Sequence, residues 1–260
     1  MPQLMRTANP ALTEKAFREY EAERFGGGGF GGSLVERMTL NGTVNKTGIL
    51  LVCALGTALY TWHLFLTTHS TEEVMPLMLL GMVAGLVFAL VTIFKKEWAM
   101  VTAPAYALAE GLVLGGLSAV FEVRYPGIAI ESVALTFGTL FTLLLAYRSG
   151  LIKVTAKFRL GVVAATGAVF LFYLVQMVAG LFHVSFASVN NSSPLSIGIS
   201  LIIVGIAAMN LVLDFDMIET GVRVGAPKYM EWYGAFGILV TLVWLYLEIL
   251  RLLSKFRSRN

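Results

Sequence analysis

The chain has 260 residues, 57% of them hydrophobic and only 13% charged, with a formal net charge of +3. An ordinary soluble domain carries about 25% charged residues, so a single water-soluble core is excluded. The scattered basic residues do not form a nucleic-acid surface, and they read instead as topology signals. The apolar residues come in runs of about 18–22, the length a helix needs to cross about 30 Å of hydrocarbon. Strands of a transmembrane barrel would be about 10 residues long and would alternate apolar with polar. The reading is an all-α polytopic protein whose first partner is the lipid bilayer.

Residues 1–46 read as a soluble tail, polar and glycine-rich, without the pattern of a cleavable signal peptide. Asn9-Pro10 can start a short helix running to Phe25, and the glycines of 26–32 read as a hinge; by composition a disordered tail is the favoured alternative. Residues 47–257 form the predicted membrane domain. Its apolar runs are 49–66, 75–94, 99–121, 128–147, 160–182, 195–213 and 233–253. Gly81 and Gly85, and again Gly111 and Gly115, have the spacing that lets helix backbones approach closely.

Lysine and arginine favour the cytoplasmic side. They are found before the first run, at Lys95 and Lys96, between Arg148 and Arg159, and at Arg223 and Lys228. The connections between these positions carry only Arg124. The N-terminus is therefore expected in the cytoplasm, with the protein in the plasma membrane. Seven crossings put the C-terminus outside, yet Arg251, Lys255, Arg257 and Arg259 cluster there. Either the seventh run stops short or the charge rule yields to the six earlier connections.

Carboxylates near or inside a membrane are costly and are functional by default. Glu110 is the one acid in the middle of a run, roughly 16 Å from either end. Tyr106, one turn before it, is placed to donate to it. Asp214 and Asp216 end the sixth run and are about 200° apart around a helix, so they cannot share a face. Asn210 does share a face with Asp214, which favours Asp214 as the inward group and Asp216 as its water-facing neighbour. Glu248 interrupts the seventh run three residues before Arg251, where a same-helix ion pair is the simplest account. Glu231 opens that run and lies nearer Asp214 in depth. Depth alone leaves Asp214 with Glu231 or with no acid at all as its partner. The lone Cys53 excludes an intrachain disulfide, and no Cys/His cluster has metal-ligand spacing. No nucleophile–base arrangement, phosphate loop or dinucleotide fingerprint occurs, so neither catalysis nor a cofactor is expected.

The segment from Asn210 through Asp214 to Glu219, followed by Leu245-Tyr-Leu-Glu248, resembles the end of the Bax inhibitor-1/YccA family. Phe137 to Phe141 and Glu110 to Leu114 are similar to weaker family patterns, and the Gly-rich tail looks like a bacterial subgroup. The resemblance implies a seventh helix surrounded by the other six. It also implies a pH-sensitive calcium leak controlled by two acids that share a proton across helices six and seven. Asp214 matches the first acid. Glu248 matches the second by local motif, whereas aligning on Leu250-Arg-Leu-Leu253 puts Thr241 at that position. The expected function is therefore a pH-modulated leak that handles Ca²⁺ and protons. The alternative is a non-conducting regulator whose tail binds a membrane protease or stress partner.

Overall fold

The computed structural model describes residues 36–182 and 192–259. The helix and hinge expected in the tail lie outside them. Seven helices among the described residues are long and apolar enough to cross a membrane. They are α1 (Leu40–Thr68), α2 (Thr71–Phe94), α3 (Ala99–Arg124), α4 (Ile128–Arg148), α5 (Ala156–Leu181), α6 (Pro194–Val224) and α7 (Met230–Arg257).

Several helices outrun their apolar segments. α1 starts at Leu40 because the Thr39 hydroxyl caps it, accepting from the Gly42 N–H at 3.0 Å. The Thr43 and Thr47 hydroxyls donate to carbonyls one turn back, which lets polar residues sit inside the helix. α6 continues past Asp214 to Val224. It stops at Gly225, whose φ of 73° is a left-handed cap that glycine adopts without strain.

α7 is the central helix. Within its most apolar stretch 72% of residues are buried, against 17% in α2 and 11% in α5. It lies against α1, α3, α4 and α6, while α2 packs on α3 and α5 on α6. The expected central seventh helix is present, with α2 at one remove and α5 reaching it through Tyr173, which donates to Glu248 at 2.7 Å.

α1, α2 and α3 form a tight layer. A Cβ at Gly111 would overlap the Ala54 carbonyl and the Thr57 hydroxyl of α1, and one at Gly115 would overlap Ala58 and Thr61. The close approach lets Thr57 Oγ1 donate to the Leu108 carbonyl at 2.8 Å. On the other side of α3, Gly81 faces the Ala109 carbonyl, and Thr92 bonds Thr102 at 2.7 Å. The two glycine pairs thus act as the contact points that their spacing suggested.

Two ties fix the ends of the bundle. Met38 N–H donates to Ala226 O at 2.7 Å and Lys228 N–H to Glu36 O at 2.8 Å, so the segment before α1 pairs with the α6–α7 connection. At the opposite end Arg257 donates to Pro126 O at 2.5 Å and to Glu131 at 2.7 Å. α7 therefore runs from the end holding the start of α1 to the end holding the α3–α4 connection, and the seventh run does not stop short. Three of the C-terminal basic residues that conflicted with the charge rule are drawn into side-chain ties, between helices for Arg257 and Lys255 and within α7 for Arg251. Arg257 holds Glu131, Arg251 holds Glu248 at 3.1 Å, and Lys255 donates to Ser200 Oγ at 2.8 Å.

Candidate functional site

Asp214 is fully buried at the interface of α6 and α7. Its Oδ2 accepts a 2.6 Å hydrogen bond from Thr241 Oγ1, which is also buried. The helix does not end at Asp214 as the hydropathy suggested. About ten more residues of α6 follow, placing the carboxylate roughly 15 Å from the Gly225 end. Thr241 lies at a matching depth, about 16 Å into α7. Leu211, Phe236, Leu242 and Leu245, all buried, belong to the apolar core on the same stretches of α6 and α7. One turn before Asp214, Asn210 Nδ2 donates to Thr166 Oγ1 of α5 at 2.7 Å and to the Ile206 carbonyl at 2.9 Å.

The other expected acids are held elsewhere. Glu248 lies two turns beyond Thr241, about 10 Å further along α7. Its carboxylate accepts from Tyr173 Oη of α5 at 2.7 Å and pairs with Arg251 at 3.1 Å. The same-helix ion pair is therefore formed, and Glu248 is not the group that meets Asp214. Glu231 is about 15 Å from Thr241 in the opposite direction. It is buried in the first turn of α7, bonded by the Thr39 N–H at 2.9 Å and Thr39 Oγ1 at 2.8 Å, and ion-paired with Lys46.

Asp216 does not simply face water. It pairs with Arg159 of α5 at 2.6 Å, with both side chains largely covered. Glu219, one turn on, accepts from Tyr147 of α4 at 2.6 Å and from Arg223 at 3.0 Å. Glu110 turns towards α2, where its Oε2 would lie 3.1 Å from a Cβ on Gly85. Tyr106 makes an edge-to-face contact with Phe236, centroids 5.0 Å apart, in place of the expected bond to Glu110.

The structure thus brings an acid and a hydroxyl together where two acids were expected. Among the described residues no group of three or more His, Cys, Asp or Glu could hold a metal ion. What the centre can do is bind and release a proton, or meet a passing cation, at one carboxylate buried between two central helices. Of the α5 partners, Thr166 and Tyr173 went unnoticed in the sequence, and Arg159 was read only as a topology signal. Their signal is their spacing, since 159, 166 and 173 are each two turns apart on one face.

A seven-helix membrane bundle, with an acid buried against its central helix, is the class of protein these features define. A family model described as Bax inhibitor 1 like matches residues 9–258. The chain belongs to that family. No curated protein matches it, and neither does any solved structure.

Proposed function

We propose that this multi-pass membrane protein is a pH-modulated cation leak, with Ca²⁺ as the expected ion and Asp214 as the group whose protonation sets opening. The observation that supports this reading is the fully buried Asp214 carboxylate bonded to Thr241. An ionised carboxylate this far inside a helix bundle is costly, and a proton or a passing cation relieves that cost. Either event changes the bond between α6 and α7, so it can alter how the two helices sit. The proposal retains one acid and gives Thr241 the place of the second. It assigns the chain no catalytic chemistry and no cofactor.

The end that holds the start of α1 and the α6–α7 connection is proposed to be cytoplasmic, in the plasma membrane. It is the end that gathers Lys95, Lys96, Arg148, Arg223 and Lys228.

One observation favours the regulator reading as a second choice. Residues Glu36 to Met38, in the part of the tail next to α1, are paired to the α6–α7 connection, so a partner on the tail would pull on the two helices that hold Asp214. Calcium entry into proteoliposomes loaded with an indicator separates the two. A leak persists when residues 1–35 are deleted and responds to pH through Asp214. The leak reading fails if the purified full-length protein passes no calcium at any pH.

A further inference from the structure

We infer that the seam between α5 and the α6–α7 pair is a water-accessible cation route, closed here, with α5 as the element that leans away to open it. This deepens the leak reading and rests on it.

The first observation is a ladder of polar side chains. Arg159, Thr166 and Tyr173 recur every two turns on one face of α5. They meet Asp216 at 2.6 Å, Asn210 at 2.7 Å and Glu248 at 2.7 Å respectively. From Arg159 to Tyr173 the rungs cover about 21 Å of a hydrocarbon layer about 30 Å thick. A carboxylate guards each end, Asp216 on one side and Glu248 on the other, and each is neutralised by an arginine. A helix that only faced lipid would not carry such residues at every second turn.

The second observation is the looseness of this seam. Gly161 of α5 and Gly205 of α6 line an open apolar groove of about 240 Å³ beside Ala165, Ile202 and Ile206. A Cβ at either glycine would meet nothing within 4 Å. These glycines therefore do not serve close approach, as Gly111 and Gly115 do in the tight layer of α1 and α3. They leave an apolar gap that gives α5 and α6 room to shift but offers water no polar partners of its own. The third observation is Gln176, one turn beyond Tyr173 on the same face. Its Nε2 is buried and has no hydrogen-bond partner among the described residues. A buried donor of this kind calls for water.

α5 is also the helix best suited to move. It packs mainly on α6 and reaches α7 through Tyr173, and Val162 and Val169 are its only buried residues. Apolar burial thus contributes little to its docking, and polar rungs that water can replace contribute most.

The test uses full-length protein in liposomes, with Cys53→Ala as background so that each introduced thiol is alone. Thr166→Cys and Gln176→Cys are exposed to a membrane-impermeant cationic methanethiosulfonate. Ser149→Cys in the α4–α5 connection is the water-facing control, and Phe170→Cys on the outer surface of α5 is the lipid-facing one. The route predicts reaction at 149, 166 and 176 but not at 170. Silence at both 166 and 176, with 149 reacting, makes the ladder a dry zipper and overturns the inference. A Thr166→Cys/Asn210→Cys disulfide then pins α5 to α6. Calcium flux should be lost on oxidation and return with reductant, and flux that ignores the crosslink also overturns the route. The two readings fail differently. A wild-type protein that passes calcium while 166 and 176 stay silent is a leak with another path. A wild-type protein that passes none removes the leak, and the ion route with it.

Discussion

Gly111→Ala is the sharpest probe of how this bundle is built. The added methyl would sit 2.9 Å from the Ala54 carbonyl carbon and closer still to the Ala54 oxygen and the Thr57 hydroxyl. Restoring ordinary contact means moving α1 and α3 apart by on the order of 1 Å, with an overpacking cost of about 1–3 kcal/mol. The same movement breaks the Thr57 to Leu108 bond, worth about 0.6 kcal/mol between membrane helices. The expected total is about 1.6–3.6 kcal/mol, which for a chain of this size lowers the melting temperature by about 3–14 °C. Gly205→Ala is the matched control. Its Cβ meets nothing within 4 Å, so the change should stay within about 0.5 kcal/mol of wild type. Thermal unfolding in lipid nanodiscs, followed by intrinsic fluorescence, reads both. Equal losses in the two variants would refute the division into a tight α1–α3 layer and a loose α5–α6 seam.

Two further outcomes follow from the polar contacts. Lys46→Met strands the buried Glu231 carboxylate, which among the described residues keeps only its Thr39 donors. The expected loss is about 3 kcal/mol, with most of it recovered in Lys46→Met/Glu231→Gln, as measured by denaturant titration of the purified protein. Thr241→Val removes the hydroxyl that Asp214 holds while preserving shape. It should displace the pH response of calcium flux, with Thr241→Ser close to wild type. A normal response in Thr241→Val would remove Thr241 from the centre.

The seven crossings were legible because hydrocarbon-length apolar runs leave few alternatives. Helix ends were not, because hydropathy reports where a chain meets water rather than where its hydrogen-bond ladder stops. The run ending at Leu213 put Asp214 at a water boundary, yet α6 carries on to Val224 and buries it. The shared face of Asn210 and Asp214 did mark the inward side correctly, since local helix geometry alone decides it. Which residue of α7 meets Asp214 depends on the rotation and depth of α7 against α6. Those are set by packing around Phe236, Leu239 and Leu245, which no single-helix pattern encodes. The local motif chose Glu248, while alignment from the chain's end put Thr241 at the acid's position. In the fold Thr241 makes the contact. Glu248 followed the simplest sequence rule instead, pairing with Arg251 three residues on.

The most direct test of the account is calcium flux into proteoliposomes across a pH series, with wild type beside Asp214→Asn and Glu248→Gln. Since Asp214 meets Thr241 and Glu248 is held by Tyr173 and Arg251, Asp214→Asn should flatten the pH response and Glu248→Gln should keep it. A normal response in Asp214→Asn, or a response abolished by Glu248→Gln, would contradict the account.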